Sequence, residues 1–522
     1  MNLNHILITN VRVYRKNVPL FHRPRAVEIK HGRFVRFFDE PYPNIDAEVI
    51  DGEGSFLYPG FFDSHTHFVW GGSALGPLNF SGVTSLAEMR ERLLSVREGM
   101  ESKRGRGWMI GLGLDQNALH PTREQLDEWC GSFPVIIETK DLHSAIVNRA
   151  ALELASLWNP VTDPEGGKVE RDGYGIPNGW LREFAVHNVK RYIPPATPAD
   201  YREWFEAATE LAHANGIIGV GENADCELAK LYWQWAEAGA LPIRIDLWLN
   251  EGWPNEDTLE FPKYSSDRLR IATQKLFLDG SLGSHTAWFR EPYTSRPDTC
   301  GMPLHSNDEV YDALRNCLER NWGASVHTIG DASCEQLLFT AEKLQVEGFD
   351  TSRIAIEHLQ VMTPDTPQRV KKLGMIASMQ PIHLAGDREW MEARIGKERC
   401  ENAFAFHTLS EEDVRLRFGS DWPVEDLNPI AGLRTAILRT GYSNCLGNSW
   451  YAKECIPFET ALAAFSSDPH HLAGWSYAGK TTEEAPADFI LLDQDLSTTH
   501  PADWDTNSVK STWVGGAEVF HR

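Results

Sequence analysis

Eight short apolar segments, separated by helical patterns, recur between residues 61 and 421 of this 522-residue chain. As strands they cover 61–67, 217–222, 242–249, 275–280, 324–330, 353–359, 374–380 and 415–421. Intervening segments such as 200–216, 309–323 and 366–375 have the period of amphipathic helices. Strands that alternate with helices are typical of a parallel sheet, and eight such units are what a closed (β/α)8 TIM barrel requires.

The first two of these strands are separated by about 100 residues more than a barrel unit needs. We therefore predict an inserted α+β subdomain at 73–200, within a barrel made of 59–72 and 201–479. Within the insertion, RGWMIGLGLD and PVIIETKDLHSAIVN read as strands, and the Asp-, Glu- and Gly-rich run at 163–175 as an exposed loop.

Both ends of the chain have the alternating pattern of short β-strands. The segments HILITNVRVY and AVEIKHGRFVRFF lie at the start, and ADFILLDQDL and STWVGGAEVF lie at the end. Because chain termini commonly lie close together, we predict that 1–58 and 480–522 form one small composite β-sandwich. The fold class is therefore α/β.

The net charge limits the kinds of binding partner that we expect, and the cysteine content indicates the cellular compartment. A formal net charge of −24 opposes binding to nucleic acid or to an anionic membrane surface, and no run of about 18 apolar residues occurs. Eight cysteines without a C-x-x-C pattern read as scattered thiols of a reducing compartment. We expect a cytoplasmic protein with a small-molecule substrate, and a homodimer is the expectation from base rates.

Two histidines stand one residue apart in the segment FFDSHTHF. Side chains alternate along a strand, so His65 and His67 point the same way, as a pair of metal ligands would. An H-x-H pair also arises by chance in a chain with 19 histidines, and the pair alone is equally compatible with solvated side chains.

Further candidate ligands lie on other predicted strands. Strand four carries Lys275, and strands five, six and eight end in His327, His358 and Asp421. Taken singly, His358 could be a core histidine and Asp421 a turn or cap residue. A barrel, however, brings the carboxyl ends of its strands to one rim, where its chemistry occurs. All six residues together predict a divalent metal site.

The successive segments DSHTH, KLFLDGSLGS, HTIGD, IEHLQ, ASMQP and GSDWPVEDLNP resemble motifs of the amidohydrolase superfamily. The likeness is to its family 3 branch, which contains N-substituted formamide deformylases, and it extends to DLHSAIVNRAAL and GIPNGWLRE in the insertion. The resemblance implies one or two divalent metals, held by His65, His67, a carboxylated Lys275, His327, His358 and Asp421.

The chemistry of lysine explains why carboxylation would be needed. A protonated lysine has only donors and cannot coordinate a metal, whereas a carbamate offers two oxygens. The alternative is an ordinary lysine paired with Asp279, four residues further along the same face. Nitrogen-rich sites favour zinc over manganese, so Zn2+ is the expected metal.

Metal coordination makes hydroxide available near neutral pH. We therefore predict a hydrolase that uses metal-bound hydroxide, a chemistry that equally permits ester or phosphoester hydrolysis. The resemblance to the amidohydrolase superfamily implies that the group attacked is the carbonyl of a non-peptide amide, N-acyl amine or N-formyl amine. The expected catalytic residues are Asp421, which transfers the proton to the departing nitrogen, with Lys275, His327 and His358. The alternatives are a metal-dependent isomerase or deaminase on the same fold, and a metal-binding regulatory protein without catalysis.

Substrate contacts are predicted at five polar positions. His143, Asp115 and Arg182 belong to the insertion, where Arg182 could bind a substrate carboxylate or carbonyl or form an internal salt bridge. Gln380 ends the seventh strand and His383 follows it, so both are expected near the rim.

Overall fold

The computed structural model describes residues 5–40, 45–102, 107–116, 118–139, 144–158, 163–164, 167–251, 253–441 and 447–522. The chain divides into two compact units, Val69–Ala208 and the combination of Met1–Phe68 with Thr209–Arg522. Within the described part of the chain, no helix has the length and apolar character needed to cross a membrane. Seven cysteines are described there, all with free thiols.

The larger unit contains the predicted barrel. Its eight parallel strands pair in chain order, each with the next, and we number them one to eight. They are Phe61–Thr66, Ile217–Ala224, Arg244–Leu249, Leu269–Phe277, Gly323–Thr328, Ile354–His358, Ile376–Met379 and Arg415–Phe418. The fold prediction is confirmed.

Strand four differs most from its predicted bounds, since it begins at Leu269 and not at residue 275. Arg270, Thr273 and Gln274 interrupt the apolar run at its start, so only the apolar end of the strand was recognised. A short strand, Tyr264–Ser265, pairs antiparallel with it.

Strands one and eight close the barrel through a small set of contacts. A parallel bridge joins Thr66 to Trp422, and the backbone N–H of Asp421 donates to the carbonyl of His65 at 2.7 Å. The buried carboxylate of Asp63 accepts a hydrogen bond from the backbone N–H of Ser420 at 2.9 Å. A methyl group on Gly419 would lie 2.5 Å from the backbone nitrogen of His65, so this approach requires glycine.

Helices surround the strands of the barrel and also occur in the second unit. The α-helices are Phe68–Ala74, Leu86–Ser102, Arg123–Cys130, Arg149–Leu154, Phe184–Lys190, Pro198–Ala214, Cys226–Glu237, Glu256–Glu260, Asn307–Glu319, Asp331–Val346, Thr366–Leu373, Pro381–Asp387, Met391–Ile395, Lys397–Cys400, Phe406–Glu411, Pro429–Leu438, Phe458–Ala464 and Ser467–Leu472. The three helices predicted near 200–216, 309–323 and 366–375 are among them.

Two small sheets are built from the chain termini, as predicted. One contains Arg33–Phe38, Ala26–Lys30, Ile6–Thr9 and Glu48–Asp51, and the other contains Arg12–Val13, Phe56–Pro59, Phe489–Leu492, Val509–Val514 and Ala517–His521. Their apolar faces share one buried cluster that includes Ile8, Val27, Phe489 and Trp513. This shared core fits a β-sandwich.

The unit Val69–Ala208 has its own five-stranded sheet. In spatial order the strands are Gly167–Arg171, Pro177–Glu183, Ser144–Val147, Val135–Thr139 and Met109–Leu114. The prediction of a loop over 163–175 is therefore wrong for Gly167–Arg171, which pairs antiparallel with Pro177–Glu183. Charged residues there suggested a loop, but only Val169 of this strand is buried, as in an edge strand.

Candidate metal centre

Three predicted ligands meet where strands one and eight close the barrel. Nε2 of His65 lies 3.4 Å from Oδ1 of Asp421, and Nε2 of His67 lies 3.3 Å from the same oxygen. One potential ligand atom from each of the three residues lies within 4.8 Å of the others. His65 is buried and His67 is partly exposed, so solvent can reach the group on the side of His67.

The next two predicted histidines lie beside this group. The ring centroids of His65 and His358 are 5.0 Å apart, and those of His358 and His327 are 4.4 Å apart. Burial, with the positive charge of Lys275, lowers the pKa of His327 to about 3. Burial also holds the pKa of His358 well below its ordinary value. Both imidazoles are therefore neutral, which is the form that binds a metal.

Unusual backbone conformations place two of these ligands. His358 has φ 70° and Asp421 has φ 62°, both in the left-handed region that few non-glycine residues adopt. His358 ends strand six, and this conformation breaks the strand alternation after Glu357. As a result, Glu357 and His358 both approach the ring of His65, although regular alternation would put them on opposite faces.

Lys275 lies in the same group. Its Nζ is 3.3 Å from Nε2 of His65, and the residue is only 2% exposed. Burial lowers the pKa of Lys275 to about 8, against the opposing effect of Glu357 and Asp421. A substantial share of the amine is therefore neutral near pH 8, and the neutral amine is the form that can react with carbon dioxide.

Asp279 forms hydrogen bonds with groups other than Lys275, the partner that its sequence position suggested. Its carboxylate accepts hydrogen bonds from the backbone N–H groups of Trp288, Ile329 and Gly330 at 2.8–3.0 Å, and from the Ser333 hydroxyl at 2.8 Å. Asp279 therefore ties the loop after strand four to the start of helix Asp331–Val346. At the rim, Nε2 of His327 lies 3.6 Å from Oδ1 of Asp279.

A buried carboxylate behind His65 was not among the predicted site residues. Nδ1 of His65 donates to Oε2 of Glu357 at 2.6 Å, while Oε1 of Glu357 accepts from the Ser325 hydroxyl at 2.6 Å and from Arg417 at 2.7 Å. Glu357 is fully buried. Burial opposes its ionisation, but Arg417 and His65 outweigh this and hold the pKa of Glu357 well below its usual range.

The hydrogen bond between His65 and Glu357 determines which nitrogen of the His65 ring carries the proton. Because Nδ1 carries the proton donated to Glu357, Nε2 is left unprotonated, 3.4 Å from Oδ1 of Asp421 and 3.3 Å from Nζ of Lys275. The signal for Glu357 was present in the sequence as a charged residue inside an apolar strand, next to a candidate ligand.

Gln380 and His383 lie at this end of the barrel, as their positions after strand seven suggested. The Gln380 amide nitrogen is 3.4 Å from Nδ1 of His65. Nε2 of His383 is 3.7 Å from Oδ2 of Asp421, and it is buried without a hydrogen-bond partner among the described residues. The structure thus brings both side chains to the predicted ligands.

The three candidates in the insertion have different placements. His143 lies outside the described residues. Arg182 donates to Glu170 at 2.8 Å and to the Ser144 hydroxyl at 2.7 Å, so it has the internal salt bridge considered as its alternative. Asp115 directly follows strand Met109–Leu114, and its carbonyl accepts from the N–H of Leu119.

The ligand atoms can be tested for their fit to a metal. Oδ1 of Asp421 is buried and receives no hydrogen bond of acceptable geometry among the described residues, although two imidazole nitrogens lie nearby. An unsatisfied buried carboxylate oxygen is costly, and a cation would satisfy it. Two neutral imidazoles and a carboxylate are also typical ligands of zinc-like ions.

A model of the amidohydrolase family matches residues 48–520, which include every element of the barrel and both closing strands. The chain belongs to the amidohydrolase family. The putative amidohydrolase YtcJ of Bacillus subtilis (strain 168) is 29% identical over 505 residues, which cover 92% of each chain. N-substituted formamide deformylase of Arthrobacter pascens is 24% identical, with 91% of this chain and 90% of the deformylase covered.

The architecture of this amidohydrolase is found in solved structures as well. The crystal structure of an uncharacterized metal-dependent hydrolase from Pyrococcus furiosus superposes with a TM-score of 0.77 at 28% identity, covering 95% of this chain and all of that one. Family membership, this likeness and the cluster of His65, His67 and Asp421 support a hydrolase that uses a divalent metal.

Proposed function

We propose that this amidohydrolase uses zinc to hydrolyse a carbon–nitrogen bond outside ordinary peptides, in a small-molecule amide, N-acyl amine or N-formyl amine. The observation that carries the proposal is the convergence of His65, His67 and Asp421 around an unsatisfied carboxylate oxygen. The type of bond is supported by similarity to a protein named as a formamide deformylase.

The residues divide into two adjacent sets of potential ligands. His65, His67 and Asp421 would hold one ion, and Lys275, His327 and His358 would hold a second. A divalent metal supplies a Lewis acid that polarises a carbonyl and lowers the pKa of water.

The chain's own groups supply positioning and proton transfer. Asp421 keeps its charge because His65 and His67 outweigh the effect of burial and hold the pKa of its carboxyl well below the usual range. We propose that this carboxylate accepts the proton of the attacking water and delivers it to the departing nitrogen. We propose that His383 and Gln380, which lie near Asp421 and His65, donate hydrogen bonds to a substrate carbonyl.

Lys275 is proposed to be carboxylated. The neutral Nζ forms a bond to the carbon of carbon dioxide and releases one proton, which gives an anionic carbamate in place of a cation. The product removes a positive charge that otherwise lies 3.3 Å from the coordinating nitrogen of His65.

We expect Lys275→Ala to lower metal affinity by at least about tenfold, because one ligand is lost. Metal content is measured after equilibration with buffered zinc, and intact mass shows whether the wild type has gained one carbon dioxide. Lys230→Ala, at a surface lysine paired with Glu227, is the matched control and should change neither quantity. Full metal affinity in the Lys275 variant would refute a role for this side chain in binding.

The proposed activity is tested with zinc-loaded protein on a panel of N-formyl amines, N-acyl amines and simple esters. We expect release of an amine together with formate or another carboxylic acid, and loss of turnover after chelation with recovery on adding zinc. Release of ammonia with a ring carbonyl would instead indicate a deaminase, and rearrangement without release an isomerase. Metal-loaded protein that turns over none of the panel would favour a non-catalytic role.

A further inference from the structure

A second concave site lies at the opposite end of the barrel. This cavity, of about 310 Å3, is bordered by the amino-terminal parts of strands three to eight and by the segment 350–353. It is therefore separated from the predicted ligands, which stand at the carboxyl ends of the strands. Its size is sufficient for a small ion with some of its hydration shell.

The charge of the cavity is unlike that of the whole chain. Four arginines line it, against two aspartates, in a protein whose formal net charge is −24. The arginines are Arg270, Arg353, Arg415 and Arg417, and the aspartates are Asp246 and Asp350. Because the buried Arg417 is also paired with Glu357, one positive charge remains in excess. A concave surface with such an excess attracts anions locally, whatever the net charge of the protein.

Ion pairs inside the cavity do not account for all of these charges. Arg270 donates to Asp246 at 2.7 Å and Arg353 donates to Asp350 at 3.1 Å. Arg415 donates to the backbone carbonyl of Ser352 at 2.8 Å and to that of Gly374, and within the described ranges no carboxylate lies at ion-pair distance from it. Its positive charge is thus available to a ligand.

Arg417, the buried arginine of the cavity, also has a carboxylate partner. Arg417 donates to Glu357 at 2.7 Å, so its charge is already used to stabilise the carboxylate behind His65. Burial lowers the pKa of the Arg415 guanidinium. The charge of Asp350 opposes this shift, and that of Arg417, two residues along the strand, adds to it. An anion near Arg415 and Arg270 would relieve this repulsion.

We propose that this cavity binds a small oxyanion, of the phosphate or carboxylate class, between the guanidinium groups of Arg270 and Arg415. Guanidinium groups present forked donors that match the paired oxygens of both classes. The site is distinct from the proposed metal centre, because none of the predicted metal ligands lines it.

The test is isothermal titration with inorganic phosphate and, separately, with acetate, at constant ionic strength set with sodium chloride. We expect saturable binding of at least one of the two anions, and the comparison shows which class the site prefers. Arg270→Gln and Arg415→Gln should each weaken binding by about tenfold or more, since each removes charge-assisted hydrogen bonds. Arg296→Gln, at an exposed arginine paired with Asp298, is the matched control and should bind as the wild type does.

Two results would overturn the proposal: no saturable binding of either anion to the wild type, or equal affinity in the wild type and both glutamine variants. If a variant fails to fold, wild-type crystals soaked in selenate give an independent answer. An anomalous selenium peak beside Arg270 and Arg415 supports the site, whereas peaks only elsewhere, or none, refute it.

Discussion

Replacing Asp421 by asparagine is expected to reduce kcat/KM by about 10³-fold or more, because the variant loses both the proton acceptor and an anionic ligand. The side chain keeps its shape, so the barrel should remain folded. Initial rates on the best substrate of the panel measure the effect, and metal content measured in parallel separates loss of the ion from loss of proton transfer.

The matched control is Asp426→Asn, the same substitution at an exposed position five residues further on. It should leave both rate and metal content unchanged. Retention of more than a tenth of wild-type activity by the Asp421 variant, with metal bound, would show that another group moves the proton. His383, whose Nε2 lies 3.7 Å from Asp421, would then be the next residue to replace.

Arg417→Met is expected to lower the free energy of unfolding by about 3–5 kcal/mol, because it leaves the buried charge of Glu357 without its cation. Chemical denaturation monitored by circular dichroism measures this change. Adding Glu357→Gln to the same chain should recover part of the loss, since the uncompensated charge is removed with it.

Arg415→Met is the control for the Arg417 variant, because it lies two residues away on the same strand but is exposed. It should cost less than about 1 kcal/mol, as exposed charges contribute little to stability. Equal losses in the two variants would mean that the ion pair with Glu357 is not the cause, and that either substitution simply disturbs strand eight.

Periodicity and spacing were sufficient to predict the barrel. Buried parallel strands are nearly continuous apolar runs, so seven of the eight were found close to their bounds. Strand four and the edge strand Gly167–Arg171 were harder to predict. Polar side chains interrupt the beginning of strand four, and polar side chains that face solvent dominate the edge strand. A sequence without structure does not show which polar residue will pair with a neighbouring strand.

The sequence was sufficient to predict which strands would carry the candidate site residues. What could not be predicted was the contact between Glu357 and His65, because it depends on strand register and on a backbone conformation. Register aligns Glu357 with Ser378 and Ser378 with Arg417 across three strands. The left-handed φ of His358 then turns a second side chain inward, and nothing in the residue type indicates this.

Closure of the barrel has a consequence for biosynthesis. His65 and His67 leave the ribosome with the first strand, whereas Asp421 and the contacts that join it to His65 belong to the eighth. A nascent chain therefore carries exposed imidazoles through most of its translation without the carboxylate that completes their site. Metal capture should follow synthesis of the last strand, and a chain stalled before it should be left with neither a closed cylinder nor a tightly held ion.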